Sequence, residues 1–225
     1  FFEAGRGFTK QEMGWCVAAM FTAGAFVNFI GGWASDRLSK HYGLPHLDTG
    51  LLYRAVAAAA LDRRLDLHDE HACARVAEMI DLYEFDEREL RGAHVGAAAS
   101  VVAAMSAVRK ALFDLQRRFA QQPGGAVLDG RDIGTVIAPD ADVKLWVDAS
   151  VEERAGRRFR ELSGMGEAVT PEGVLAQLKE RDARDAGRKD APMKAAADAV
   201  AIDTTALTPD ECFARAVAIV DARKR

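Results

Sequence analysis

The sequence predicts an α/β fold: a parallel sheet with helices on both faces. Three observations predict it. Short apolar runs with β-branched residues recur at 126–129, 143–147 and 199–203, as in strands buried on both sides. Each is followed by a helix start. The runs alternate with helices, which demands crossover connections and therefore parallel strands. No internal repeat appears.

The elements follow in order. Residues 44–48 are a short extended piece ending in Asp48-Thr-Gly, and an alanine-rich helix over 51–63 follows, with Asp48 or Thr49 as its N-cap. Helical periodicity returns over 70–82, 95–105 and 108–121. Ser150 and Glu153 have capping-box spacing. Thr208, Pro209 and Glu211 place a cap, an N1 proline and a first-turn acid in sequence. Two charged helices, 151–162 with Arg154, Arg157, Arg158 and Arg160, and 171–186 with Lys179, Arg181 and Arg184, are joined by a glycine-rich stretch. Two readings fit this pair. One is an arginine-rich lid closing over an anionic ligand; the other is an exposed hairpin laced by i,i+4 ion pairs.

Composition narrows the function. The 225 residues carry 30 basic and 34 acidic side chains, a net charge of −4. That balance argues against a nucleic-acid partner, because phosphate neutralisation needs a basic excess. Cys16, Cys73 and Cys212 are scattered and odd in number, which argues against a disulfide framework and for a reducing compartment. The five histidines form no ligand pattern, so no metal site is expected from protein ligands.

The first forty residues have a different character. No charged side chain occurs over 13–35, and Trp15 and Trp33 flank an apolar run. About 20 uncharged residues reach membrane-spanning length, and flanking tryptophans suit a membrane interface; membrane contact through 13–35 is one expectation and a buried soluble helix the other. The run Phe8 to Trp15, the apolar stretch, and Gly31-Gly-Trp-Ala-Ser-Asp-Arg37 together resemble one helix and the following turn of a major-facilitator transporter. One helix cannot form an alternating-access pathway, so transport is not expected. The expected division is therefore 1–40, a transporter-like segment from a fragment or mis-joined frame, and 41–225, the α/β domain.

Chemistry concentrates in three segments. Asp48-Thr-Gly-x-x-Tyr53-Arg54 opens a helix. Asp129-Gly-Arg-Asp-Ile-Gly134 follows an apolar strand and so sits at the carboxyl edge of the sheet, where ligands bind in such folds. Arg131 there offers a forked donor suited to phosphate, and Asp129 and Asp132 offer acceptors. In Glu180-Arg-Asp-Ala-Arg-Asp-x-x-Arg188, Arg181, Asp185 and Arg188 share one helix face. Several arginines at one sheet edge favour a phosphate-bearing ligand with a polar base or sugar, since phosphoryl transfer depends on positioning and charge compensation.

These motifs, with His46 to Arg54, Leu90 to Gly96, Ala99 to Ala103 and Ala107 to Arg109, make residues 41–225 resemble bacterial cytidylate kinase, a nucleoside-monophosphate kinase family. The resemblance implies a P-loop-kinase-like sheet, a short CMP-binding insertion over 62–95, a lid over 154–188, and transfer of a phosphoryl group from ATP to CMP or dCMP with Mg2+, in a cytoplasmic monomer. It implies that Arg54, Arg109, Arg131 and Arg188 surround the CMP phosphate, and that Ser100, Arg109 and Asp132 read the cytosine edge. Arg181 and Asp185 would lie near sugar and phosphate, with Asp48, Thr49, Tyr53 and Asp129 also lining the acceptor site. Arg157 and Arg158 would face the ATP phosphates, and Arg131, Asp132, Arg157 and Arg188 would be the catalytic set. The family opens with a central strand and the loop Gly-x-x-x-x-Gly-Lys-Gly-Thr, which cradles ATP. No Gly-x-x-x-x-Gly-Lys-(Ser/Thr) occurs in this chain; aligned without gaps, the family's lysine would fall on Gly31 and its threonine on Trp33. The apolar segment stands where strand and loop would be, and the expectation is an impaired kinase that retains CMP binding.

Overall fold

The computed structural model describes residues 31–188 and 190–223. Its first element, α1 (Gly31–Tyr42), leads through a glycine turn to β1 (His46–Asp48) and directly into α2 (Thr49–Asp62). Asp48 ends the strand and caps the helix, accepting from Leu51 N at 3.2 Å. Ala55, Ala57 and Ala60 on α2 are fully buried; their small side chains let neighbouring helices approach closely. Then come α3 (Glu70–Glu78), capped by Asp69, a short 3-10 turn (Leu82–Glu84), and α4 (Glu87–Leu90), capped by Asp86. Helices α5 (Ala93–Val102) and α6 (Ser106–Ala120) follow, α5 packing on α2 and α6 on α3.

The second half runs β2 (Val127–Asp129), a π-type turn (Ile133–Ile137), β3 (Leu145–Asp148), α7 (Val151–Gly164), α8 (Pro171–Ala186), β4 (Val200–Asp203) and α9 (Pro209–Arg223). Thr170 caps α8 by accepting from Gly173 N, and Pro171 occupies the first turn, where a missing N–H costs nothing. At α9 the capping box is complete: Thr208 N donates to Glu211 Oε2 at 2.8 Å and Glu211 N to Thr208 Oγ1 at 3.3 Å. At α7 only half of it forms. Ser150 Oγ accepts from Glu153 N, but Glu153 accepts from Arg157 and the Ser150 N–H donates to Thr205 Oγ1.

All four strands pair in parallel, as two separate pairs. β1 pairs with β2 in the register Leu47↔Leu128 and Asp48↔Asp129; β3 pairs with β4 in the register Leu145↔Val200 and Asp148↔Asp203. Among the described residues no strand joins the two pairs. Successive residues of β2 point to opposite sides. Leu128 enters one core with Leu52, Val56, Val102 and Leu112; Val127 enters another with Leu145, Val147, α1 and α9. Helices therefore cover both faces, as the continuous apolar runs require. A third cluster, including Leu162, Val174 and Leu178, holds α7 against α8.

The segment Gly31–Arg37, read as a turn after a transporter-like helix, is instead the start of α1. Ala34 and Leu38 are fully buried against β2, β3 and α9, and the Arg37 guanidinium lies 4.7 Å from the Trp33 ring and 4.5 Å from Phe213. The helix passes residue 40 without a break, so the expected change of character there does not coincide with a boundary in the fold. Amphipathic spacing of Ala34 and Leu38 inserts one face into the core, and the sequence pattern of α1 is that of a packed helix. The apolar run upstream of it lies outside the described residues. Among those described, no single helix is long and apolar enough to cross a membrane.

If α1 is an integral layer, Leu38→Ala should lower unfolding free energy by roughly 2–5 kcal/mol. Arg37→Ala, at an ion pair exposed to solvent, should cost about 1 kcal/mol or less. Denaturant titration of both variants checks this; equal small effects would make α1 peripheral.

Candidate active site at the strand ends

The register of β1 on β2 places Asp48 beside Asp129 at the carboxyl edge. Thr49 Oγ1 donates to the Asp129 carbonyl at 2.7 Å and locks the two strand ends together. Gly130 then turns the chain where a Cβ would lie 2.2 Å from Thr49 Oγ1 and 2.7 Å from Ile133 Cδ1. Only glycine fits, and the turn delivers Arg131 and Asp132 into a cavity. Asp48, Thr49, Tyr53, Arg54, Arg109, Asp129, Arg131, Asp132, Arg181 and Arg188 all line it. Ten of the expected site residues thus converge from β1, β2, α2, α6 and the C-terminal end of α8.

Charge dominates this cavity. Asp185, with no exposed surface, pairs with both Arg131 and Arg188, and Arg181 Nε lies 4.0 Å from it. Arg109 pairs with Asp132 and lies over the Tyr53 ring at 5.6 Å. Arg54 donates to the Leu90 carbonyl at 2.7 Å; Gly96 packs against its guanidinium, where a Cβ would sit 3.5 Å away. Burial first, then neighbouring arginines, lower the affinity of these cations for their protons. Arg131 is brought down to about 9, with Arg188 the principal repelling charge. Arg188 falls to about 10, with Arg109 next to burial as the cause, and Arg54 to about 10, with Arg158 next to burial. Arg181 is also lowered well below its ordinary value by burial and by Arg131. Arg131 Nη2 and Arg188 Nε, both buried, have no hydrogen-bond partner. Buried cations that repel one another and hold unused donors make a cradle for a multivalent anion.

A smaller carboxylate group sits at the base. His46 Nε2 lies 2.5 Å from Asp129 Oδ1, and Arg91 is 3.7 Å from Asp48. Burial and the neighbouring Asp129 charge push the Asp48 carboxyl up to about 6. Burial alone would lower His46; the hydrogen bond and charge of Asp129 outweigh it and raise it. Among the described residues no group of three or more His, Cys, Asp or Glu is placed to hold a metal.

Four expected residues stand elsewhere. Arg157 turns into the fold and donates to Thr204 O at 2.6 Å and Thr204 Oγ1 at 3.1 Å, at the end of β4. Arg158 donates to Glu161 at 2.7 Å and to the Arg91 carbonyl at 2.9 Å. Neither lines the arginine cavity, and both are buried. Carbonyls at these loop ends need donors, and long guanidinium side chains on the inner face of α7 supply them. Asp185 lies behind the cavity wall as a counter-charge. Ser100 lines a second cavity between α5 and the α7–α8 hairpin, together with Arg158, Arg181 and Arg184.

A family model described as cytidylate kinase matches residues 32–222. A cytidylate kinase of Xanthobacter autotrophicus is 57% identical over 193 residues, covering 86% of this chain and 92% of the relative. One from Methylobacterium sp. is 58% identical over 192 residues, covering 85% and 91%; one from Methylocella silvestris is 54% identical over 191 residues, covering 85% and 88%. The chain belongs to the cytidylate kinase family. It is therefore a phosphotransferase by family. The family match begins at residue 32, inside α1, in keeping with the packing of that helix.

Residues not singled out from the cytidylate kinase motifs also contribute. His46 and Arg91 flank the carboxylate pair, Glu167 caps α5 by accepting from Ala93 N at 2.8 Å, and Arg184 reaches Ser100. His46 was findable: it precedes Asp48 by two, so a strand period of 2 puts both on one side.

The Asp48 shift has a stability consequence. Its folded value, about 6, exceeds the ordinary 3.8, so its contribution is fully present below about pH 4 and lost as pH rises through about 6. His46 shifts in the same sense. Asp48→Asn keeps the cap and removes the charge. It should match the parent near pH 4 and exceed it by about 1–3 kcal/mol at pH 7. Denaturant titrations of both proteins across this range measure the difference; a constant offset would refute the assignment.

Proposed function

We propose that the arginine cavity is the acceptor site for a cytidine monophosphate, CMP or dCMP, and that this chain transfers phosphoryl groups from ATP poorly. The single observation carrying the first part is the convergence of Arg54, Arg131, Arg181 and Arg188 on one buried space, with their charges mutually destabilised and two donor atoms unused. A phosphate dianion satisfies those donors and removes the repulsion. Arg109 with Asp132 presents a donor and an acceptor side by side beside Tyr53, which suits the alternating edge of cytosine. The names of the curated relatives point to the same nucleotide.

The donor side fits less well. ATP with Mg2+ would need amide donors and a lysine around its phosphates, and the sequence has no Gly-x-x-x-x-Gly-Lys-(Ser/Thr). Lys144 is held by Asp198 and the Pro139 carbonyl, and Arg157 is spent on Thr204. The missing loop sequence is what supports the reading of weak transfer from ATP and Mg2+. In the acceptor site, Arg54, Arg131 and Arg188 orient the phosphate, Arg109 and Asp132 align the base, and burial excludes water from the anion.

Calorimetry should detect one CMP per chain, with cytidine about 100-fold weaker for want of the phosphate contacts. Arg131→Met should weaken CMP by a similar factor, about 100-fold. Turnover measured by ADP release should fall orders of magnitude below a typical 10 s⁻¹, roughly the median for enzymes. A folded sample with no CMP affinity overturns the acceptor assignment; ordinary turnover overturns the impaired donor side.

A further inference from the structure

His46 stands behind the arginine cavity, one carboxylate removed from it. Its Nε2 lies 2.5 Å from Asp129 Oδ1. Asp129 lines the cavity and His46 does not. Asp129 is only 4% exposed. A buried carboxylate beside several cations would ordinarily take one of them as its partner. Yet Arg131, two residues on, pairs with Asp185, and among the described residues no arginine pairs with Asp129. The backbone there has little freedom. Thr49 Oγ1 fixes the Asp129 carbonyl at 2.7 Å, and the Gly130 turn has no room for a Cβ. The direction of the carboxylate is then a matter of side-chain rotation, and the imidazole holds that rotation.

We infer that His46 is a positioning residue: it holds the Asp129 carboxylate off the arginine donors and, as an imidazolium, offsets its charge, so that those donors stay open to a phosphate. This rests on the reading of the cavity as an acceptor site for a cytidine monophosphate. Arg131 and Arg188 already share Asp185. A second carboxylate swung among them would occupy the donors that a ligand needs, as an internal competing anion. Several charges face His46. Asp48 on β1 and Asp129 on β2 are nearest, and α1 contributes Asp36, itself bonded to Lys40 at 2.6 Å. Beyond Asp48 stand Arg91, 3.7 Å from it, and Arg54. Burial favours the neutral imidazole; Asp129, then Asp48 and Asp36, outweigh burial and raise its affinity for a proton. An anion in the cavity acts in the same sense. Binding of a phosphate dianion therefore draws a proton onto His46.

Calorimetry with CMP on the full chain separates this role from packing. At pH 7.5 the phosphate is already a dianion, its second proton leaving near about pH 6. His46→Leu should weaken CMP about tenfold, the size expected when one donor is lost to Asp129. In an Asp129→Asn chain the same substitution should change affinity by less than about twofold, because the competing carboxylate is gone. His46→Gln, which keeps a donor without the charge, should lose less than His46→Leu. Proton exchange gives a second readout. Measured in buffers of different ionisation enthalpy, an Asp48→Asn chain should take up a fraction of a proton with CMP, and adding His46→Gln should reduce that uptake. Asp48→Asn is the background because Asp48, pushed up to about 6 by burial and by Asp129, would take up protons as well. The difference between the two chains isolates His46 from the arginines. If His46→Leu loses its cooperative melt, His46→Gln, with and without Asp129→Asn, carries the comparison. Equal losses with and without the Asp129 carboxylate overturn the inference in favour of packing, as does proton uptake unchanged by His46→Gln. A His46→Leu chain that binds CMP as tightly as the parent overturns this inference alone. A folded parent that binds no CMP overturns the acceptor reading beneath it.

Discussion

The site depends on one buried carboxylate. Asp185 has no exposed surface and faces Arg131 and Arg188 directly, with Arg181 at the edge of reach. Bringing several guanidinium groups together inside a protein is unfavourable twice, through lost hydration and through mutual repulsion. Without Asp185 the cluster would spread toward solvent or lose protons. With it, the net charge of the cluster remains positive and the donors stay aimed. Asp185 therefore sets a balance: enough negative charge to allow the cluster to be buried, too little to satisfy it. A multivalent anion is the kind of group that would complete this balance.

The strand ends convert that balance into geometry. Because β1 and β2 are parallel and in register at Asp48 and Asp129, both chains leave the sheet on the same edge. Asp48 caps α2, Thr49 ties the edge shut, and Gly130 turns the second chain within a space that excludes any Cβ. Arg131 and Asp132 have little freedom after that. The arginines of α2, α6 and α8 are brought to them by packing of alanine-rich helices. Capping, turn chemistry and small-residue packing all act here on the same few residues, and that agreement is what fixes the site.

Those strong local signals are also what the sequence makes legible. The four strands, the caps of α2, α7 and α9, and most of the arginine cavity follow from period, cap chemistry and motif. Three features do not. The pairing of strands into two separate pairs is a long-range property that no local run encodes. The inward turn of Arg157 and Arg158 depends on carbonyls at Thr204 and Arg91, distant in sequence and unmarked by any residue type. The third is α1, whose uncharged first residues and flanking Trp33 imitate a membrane-proximal segment. Its burial of Ala34 and Leu38 against β2, β3 and α9 shows that a run of apolar residues reports burial without naming the medium.

The arginine cavity has a structural foundation of its own. The arginine cavity is built from β1, β2, α2, α6 and α8, and its counter-charge, Asp185, lies on α8. The donor cradle that the family resemblance implies is a Gly-x-x-x-x-Gly-Lys-(Ser/Thr) loop, and the chain has no such sequence. Val127 and Leu128 on β2 enter different cores. The core under the arginine cavity is closed by α2, α3, α5 and α6. The arginine cavity thus stands on a core of its own, and Asp185 between Arg131 and Arg188 supplies its counter-charge.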